Sequence, residues 1–317
     1  MKVFITRKIP VNGIDLLKKK GYDVKVYPKE KPISRQELIN GAKDADAVIT
    51  LLTDKVDDAI LSKLPKIKII SNFAVGYNNI DISSAAKRNI MVTNTPGVLT
   101  EATADTAFAL LITCGRRIVE SDEFMRKGKF IGWDPMLLLG TELKGSTVGI
   151  IGAGRIGAAL AKRCSGFGMK IIYFSRRKNE YFENKLKAKK VTLTKLLSKS
   201  DFISVHIPLT PETHHLIGRE EIKLMKKSAV FINTARGEVV DEKELIKALK
   251  AKKIFSAGFD VYEGEPIVNK ELLKLKNVVL LPHIGSATFE TRSKIAEIAA
   301  KNVIAALSGK KPPFLVN

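Results

Sequence analysis

Three segments in the second half of the chain join a chemically competent side chain to a turn signal: Asn233-Thr-Ala-Arg236-Gly237, Asp260-Val-Tyr-Glu-Gly-Glu265-Pro266 and Pro282-His283-Ile-Gly285. Arg236 offers a planar cationic fork that can hold a carboxylate through two parallel hydrogen bonds. His283 can give or take a proton near neutral pH, and Glu265 can hold its imidazole in one orientation while favouring the protonated form. Taken singly, these residues also fit duller roles: a surface ion pair, a loop carboxylate, a satisfied turn histidine. What makes them a set is position. Each follows an apolar, strand-like run, and strand C-termini in a parallel sheet line one ligand crevice.

A second constellation says what those residues would act beside. In Thr147-Val-Gly-Ile-Ile-Gly152-Ala-Gly154-Arg-Ile-Gly157, a strand runs into a GxGxxG turn and then a helix. Such glycines let the backbone turn tightly against a pyrophosphate, and the helix points its free amides and positive dipole end at that anion. A lone GxGxxG is a weak signal, but strand before, helix after and βαβ surroundings are the context that gives it meaning. The His283 proton is then the one that accompanies hydride transfer. Roughly 20 residues on, NAD enzymes place an acidic side chain on the adenine-ribose hydroxyls. Here the strand Ile171-Ile-Tyr-Phe ends in Ser175-Arg176-Arg177, with no Asp or Glu. A hydroxyl and two guanidinium groups suit a ribose phosphate, so the expected cofactor is NADP(H) in preference to NAD(H).

The elements that must position these residues read as α/β throughout. β-branched runs alternate with amphipathic helical stretches, the pattern of a parallel sheet covered by helices. Strands are predicted at Val3–Thr6, Asp23–Tyr27, Ala47–Leu51, Ile67–Asn72 and Met91–Asn94, with helices at Ile14–Lys20, Arg35–Lys43, Asp57–Leu64 and Ile82–Asn89. This makes one complete domain. Glu101–Arg117 reads as a long helix with Thr100 as N-cap, bridging to a second domain. Gly128–Gly145, with the chain's one tryptophan, Trp133, reads as a loop. A second series of strands is predicted at Thr147–Ile151, Lys170–Phe174, Phe202–His206, Ala229–Asn233, Ser256–Asp260 and Val278–Leu281. The last helix, Thr288–Leu307, has no strand of its own and is expected to pack back on the first domain.

Composition narrows the class. At 317 residues, 45% hydrophobic and 27% charged, the chain is expected to form two globular domains. It holds no apolar run of membrane-spanning length, and its start, MKVFITRKIP, reads as a strand rather than a signal peptide; a cytoplasmic protein with no membrane partner is expected. Cys114 and Cys164 fall inside predicted helices far from any CxxC spacing, so neither a disulfide nor a metal site is indicated, and both read as small buried apolar side chains. His206, His214 and His215 carry no metal-ligand spacing either and read as structural or surface residues. The net charge of +21 comes from lysines spread over nearly every helix and loop, without interleaved aromatics, so it reads as surface chemistry that draws in anions rather than as nucleic-acid binding.

The ordered motifs resemble those of the D-2-hydroxyacid dehydrogenase family, in its glyoxylate/hydroxypyruvate reductase branch. The resemblance runs through Asn72–Asp81, Asn94–Asp105, Gly152–Gly157, His206–Thr213, Asn233–Gly237, Gly258–Pro266 and Leu281–Ser286, nearly the whole chain. It implies that Arg236, Glu265 and His283 are catalytic. It implies that Val75 and Gly76 bind the substrate carboxylate through backbone amides, alongside Arg236 and His283. It also implies cofactor contacts at Thr106, Ala153, Gly154, Arg155, Ile156, Ser175, Arg176, Arg177, Thr234, Ala235, Arg236, Asp260, His283 and Gly285. The implied fold is two doubly wound parallel-sheet domains, a Rossmann dinucleotide-binding domain (100–282) inserted in a flavodoxin-like substrate-binding domain (1–99 plus 283–317), with catalysis in the cleft between. The implied partners are a small 2-oxo or 2-hydroxy acid and a second copy of the chain in a homodimer. Trp133 resembles an aromatic position that bounds the substrate pocket. The alternatives are a family member acting on 3-phosphoglycerate or D-lactate and, from another class, a dinucleotide-sensing transcriptional corepressor.

Overall fold

The computed structural model describes residues 1–317. They form two compact units, Met1–Leu99 with Ser286–Asn317, and Thr100–Gly285. In the first unit the order is β1 (Lys2–Ile5), α1 (Val11–Lys19), β2 (Asp23–Val26), α2 (Arg35–Ala42), β3 (Ala47–Thr50), α3 (Asp58–Leu61), β4 (Ile69–Asn72), α4 (Ile82–Lys87) and β5 (Met91–Thr93). All pairings are parallel, in the order β2-β1-β3-β4-β5. β3 and β4 are buried along their whole length, the signature of a sheet covered on both faces. α2, α3 and α4 start where short polar side chains take up free amides. Ser34 and Glu37 make a reciprocal capping box, and Asp57 and Asp81 accept from the amides three residues on. The C-terminal helix, Phe289–Leu307, returns to this unit as expected, packing Ile295, Ala299 and Val303 into the core it shares with β1, β3 and Leu17 of α1.

The second unit begins with α5 (Thr100–Gly115) and α6 (Ile118–Arg126). It continues through β6 (Thr147–Ile151), α7 (Arg155–Gly166), β7 (Lys170–Phe174), β8 (Lys189–Lys190), α8 (Leu193–Lys199), β9 (Phe202–Val205), α9 (Arg219–Lys223), β10 (Val230–Asn233), α10 (Glu242–Lys250), β11 (Ser256–Phe259), α11 (Lys270–Leu273) and β12 (Val278–Leu280). Its seven strands are parallel in the order β12-β11-β10-β9-β6-β7-β8. The chain therefore winds one way from β6 to β8, crosses back, and winds the other way from β9 to β12. That places a topological switch between β6 and β9, where open α/β sheets bind their ligands. α5 packs against α7, β10 and β11 and buries Ala104, Ala107, Leu111 and Cys114 against the sheet.

Four details differ from the sequence reading. Thr100 is the first helical residue of α5 rather than its cap, and α5 belongs wholly to the second unit. The apolar periodicity does not run to Arg117. Arg117 adopts a left-handed backbone (φ 54°), which ends the helix and starts α6, an element absent from the sequence reading. The two-residue strand β8 is too short to carry a periodic signal. Finally, His283, Ile284 and Gly285 stay with the second unit instead of opening the return to the first. The cause is local: both oxygens of Asp260 accept from the amides of Ile284 (2.6 Å) and Gly285 (2.7 Å).

Candidate active site

The sheet order of the second unit brings the three chemical segments together. β10, β11 and β12 are consecutive neighbours, so Arg236, Glu265 and His283 follow the C-terminal ends of three adjacent strands. His283 Nδ1 lies 2.8 Å from Glu265 Oε2. Glu265 Oε1 accepts from the Tyr262 amide at 2.9 Å, which fixes the carboxylate from its other side. Tyr262 in turn donates its hydroxyl to the Leu281 carbonyl at 2.7 Å, tying the loop after β11 to the one after β12. Burial alone would raise the Glu265 carboxyl, but the hydrogen bond and charge of His283, the Tyr262 amide and the Arg236 charge together hold it below the usual carboxylate range.

The loop after β10 is built by Asn233. Its side chain accepts from the Ala235 amide (3.0 Å) and donates to the Arg236 carbonyl (2.9 Å), closing a tight turn. One guanidinium nitrogen of Arg236 donates to the Ala235 carbonyl at 2.7 Å. Burial lowers Arg236 from its ordinary value, opposed by the charges of Glu265 and Glu238. The hydroxyl of Thr234 is buried without a hydrogen-bond partner. A Cβ on Gly237 would stand 1.9 Å from the Tyr262 carbonyl carbon, so glycine lets the β10 and β11 loops touch.

At the switch point, Gly152 has φ 108° and faces the His206 carbonyl, which a Cβ there would meet at 2.3 Å. Gly154 differs: a Cβ on it would meet nothing within 4 Å. It caps α7 without any side-chain acceptor for the helix's first amides. A backbone turn with open space at its apex and unsatisfied amides behind it is what a dinucleotide pyrophosphate requires, so the residues present fit that group. Arg155 is exposed at the first turn of the same helix, and Ala153 and Ile156 are half-buried beside it.

Ser175, Arg176 and Arg177 leave the end of β7 as expected. The Ser175 hydroxyl donates to the Arg177 carbonyl, and both guanidinium groups are exposed and outside any salt bridge. Three other assigned residues are engaged within the protein. The Thr106 hydroxyl donates to the Ala102 carbonyl of its own helix (3.1 Å). The Asp260 carboxylate is 1% exposed and, with the Gly285 amide, forms the clamp that sets the His283 loop. Asp260 and Gly285 thus act on each other rather than pointing outward, because a buried carboxylate must be matched by donors.

Val75 and Gly76 belong to the first unit, in the loop after β4. Asn72 donates to the Gly76 carbonyl (2.7 Å) and Asn94 to the Val75 carbonyl (2.9 Å), while Asn79 ties the loop to Leu51 and Asp54. The carbonyls are turned inward, which leaves the amides of Val75 and Gly76 outside the backbone hydrogen-bond network. Trp133 stands 84% exposed in the loop after α6.

The remaining histidines stay apart from this chemistry. His206 hydrogen-bonds Ser204 (2.8 Å), and burial lowers it to about 4, so it is neutral at pH 7. His214 and His215 stack at 4.0 Å, and His215 meets Glu263 at 3.0 Å. Cys114 and Cys164 are buried in α5 and α7, and burial pushes both thiols up to about 12.

The sequence profile described as "D-isomer specific 2-hydroxyacid dehydrogenase, NAD binding domain" matches residues 108–285, more than half of the chain. Over 320 aligned residues the chain is 56% identical to the glyoxylate reductase of Thermococcus litoralis, covering 100% of this chain and 96% of that one. The chain belongs to the D-isomer specific 2-hydroxyacid dehydrogenase family. It is an NAD(P)-dependent oxidoreductase, and the two parallel-sheet units are that family's fold. The glyoxylate reductase of Pyrococcus horikoshii is 51% identical over the same coverage. Among solved structures, an NADPH-dependent glyoxylate/hydroxypyruvate reductase from Sinorhizobium meliloti, solved with NADP and malonate, superposes with a TM-score of 0.88 at 31% identity, covering 99% of this chain and 96% of that one.

Within this family member, sequence reasoning passed over the supporting residues. Asn72, Asn79 and Asn94 shape the amide loop, Asn233 shapes the arginine turn, and Tyr262 braces Glu265. Their signal was present, since asparagine favours turns by bonding nearby backbone, but only the folded loops say which backbone. The same family member has no helix long and apolar enough to cross a membrane.

Proposed function

We propose that this dehydrogenase reduces glyoxylate and hydroxypyruvate to glycolate and D-glycerate, preferring NADPH, with His283 as the proton donor. The observation that carries the reading is the Glu265–His283 pair at 2.8 Å, which joins the loops after β11 and β12 beside the β10 loop that carries Arg236. Because Nδ1 is committed to Glu265, Nε2 is left to exchange a proton with the substrate oxygen. Glu265, held ionised, keeps the ring in place through that bond. Arg236 holds the 2-oxo acid through carboxylate and carbonyl, and the first unit offers the amides of Val75 and Gly76, free of backbone bonds, to a carboxylate. When bound, the dinucleotide supplies the hydride to the carbonyl carbon. Ala153 to Ile156 hold its pyrophosphate, Thr234 and Ala235 border it, and Ser175, Arg176 and Arg177 take the ribose phosphate. The enzyme works in the cytoplasm as a homodimer, in which Trp133 and the apolar side chains around it are covered by the second copy.

A screen of 2-oxo acids with both nicotinamide cofactors, following cofactor absorbance, tests this reading. Glyoxylate and hydroxypyruvate are expected to turn over with higher kcat/KM than pyruvate or phosphohydroxypyruvate, and faster with NADPH than with NADH. A preference for pyruvate or the phosphorylated acid would overturn the substrate assignment. Equal or better efficiency with NADH would overturn the cofactor assignment.

A further inference from the structure

Asn179 lies in the loop between β7 and the single π-helical turn Tyr181–Lys185, and its side chain is used at both ends. Nδ2 donates to the Ala153 carbonyl at 2.7 Å. Oδ1 accepts from the amides of Tyr181 (3.0 Å) and Phe182 (3.3 Å). The Asn179 amide donates to the Tyr173 hydroxyl at 3.0 Å, and that hydroxyl also bonds Glu183 at 3.0 Å. Tyr173 is fully buried in β7, with its ring 4.9 Å from that of buried Phe182. The loop that leaves β7 is thus anchored to the core by Tyr173 and Phe182.

Ala153 is the middle residue of the glycine turn, and Asn179 closes the segment that carries Arg176 and Arg177. Asn179, two residues after Arg177 and hydrogen-bonded to Ala153, is therefore a short link between two surfaces: the turn suited to a pyrophosphate and the strand end suited to a ribose phosphate. Two further contacts shape that segment from inside, Ser175 Oγ to the Arg177 carbonyl and Lys190 Nζ to the Arg176 carbonyl at 3.1 Å. The backbone beneath the two arginines is held at several points while their guanidinium groups stay exposed. A π-turn is rare and is found most often at functional sites, which agrees with a loop shaped for a ligand.

We propose that Asn179 is a positioning residue for the phosphorylated ribose: by tying the Arg176–Arg177 segment to the Ala153 carbonyl, it sets the spacing between the two phosphate-binding surfaces. This rests on the NADP(H) reading above. The physical reason is that two anionic groups on one rigid ligand are held together only if their sites are in register, and long arginine side chains give up conformational entropy to reach a phosphate. A prefixed backbone removes part of that cost. NADH has no ribose phosphate, so it depends on the turn and little on this spacing.

The test uses the full-length enzyme, with NADPH and NADH titrated by fluorescence and kcat/KM measured for both. The chains compared are the wild type, Asn179→Ala, the double variant Arg176→Ala/Arg177→Ala, and the triple variant. Asn179→Ala is expected to raise Kd and KM for NADPH about fivefold, the scale of one lost hydrogen bond, with a smaller change for NADH. The loss falls on binding rather than on kcat. In the triple variant the NADPH/NADH preference is expected to match that of the double variant, because Asn179 acts through the arginines. An equal loss for both cofactors in Asn179→Ala, or a further drop in preference in the triple variant, overturns the proposal. If Asn179→Ala does not fold, Asn179→Asp replaces it. Aspartate still accepts from Tyr181 and Phe182 but cannot donate to the Ala153 carbonyl, so its preference is also expected to fall, and wild-type preference there overturns the proposal. A wild type without NADPH preference, or a double variant that keeps it, refutes the cofactor reading instead and is distinguishable from these outcomes.

Discussion

His283 is held for its work by its neighbours rather than by its own backbone preference. It sits at φ 54°, a left-handed conformation uncommon for a residue with a side chain, and the Asp260 clamp on Ile284 and Gly285 sustains it. His283→Ala removes the positioned acid and is expected to lower kcat by at least ~10²-fold. Near wild-type turnover would reject the role. Arg236→Lys keeps the charge but loses the fork, so KM for the 2-oxo acid is expected to rise roughly tenfold or more; an unchanged KM would place the carboxylate elsewhere. His206 makes the opposite kind of contribution. Its folded value of about 4 lies below the ordinary 6.5, so between those pH values the unfolded chain binds a proton that the folded one refuses. The stability it contributes is complete above about 6.5 and is lost as pH falls toward 4. Thermal midpoints of wild type and His206→Asn between pH 7 and 4.5 check this. The wild type is expected to lose more on acidification, and parallel profiles would refute the assignment.

At the scale of elements, the glycine turn separates two reasons for lacking a side chain. Gly152→Ala puts a Cβ against the His206 carbonyl in a backbone region disfavoured for alanine, so both stability and cofactor binding are expected to drop, the strain alone costing about 1–3 kcal/mol. Gly154→Ala meets no protein atom, so its melting temperature is expected to stay near wild type while NADPH affinity falls, because the new methyl group occupies the ligand's space. Equal melting losses in the two variants would contradict this division. The strand ends divide in the same way: β6, β7 and β9 present the turn, the arginines and the half-buried His206, whereas β10 to β12 present the groups proposed to hold the substrate and move its proton. The switch in strand order between β6 and β9 separates these two tasks within one sheet.

For the whole molecule, the surface carries two features of different meaning. The net charge of +21 is spread widely, and many lysines are matched by acids, as in Lys250–Glu271 and Lys66–Asp44. Apolar exposure is concentrated. Met125, Phe130, Ile131, Trp133 and Met136 follow one another through α6 and its loop, with Ile131 fully exposed and Met136 72% exposed. A run of large apolar side chains left in water marks an interface. Ile131→Asp with Trp133→Asp is expected to convert the proposed dimer into a monomer in sedimentation velocity, and an unchanged mass would place the interface elsewhere.

Much of this protein was legible before folding was considered. β-branched runs and amphipathic stretches announced the strands and most helices, and the glycine spacing announced the dinucleotide turn, because these signals are local and repeat with the period of the element. Arg236, Glu265 and His283 could be singled out as a candidate set from residue type and turn context, with their catalytic roles implied by the family resemblance. What only the tertiary structure decided was which groups meet. The adjacency of β10, β11 and β12 joins residues far apart in the chain, and no local period encodes strand order. Burial decided that His206 stays neutral and that Asp260 faces inward. The asparagines that shape the loops were visible as turn formers, but their partners exist only once the loops are closed. Asn179 is the clearest case: nothing in its sequence neighbourhood points to Ala153, 26 positions away, yet its side chain bonds that carbonyl and joins the β7 loop to the glycine turn.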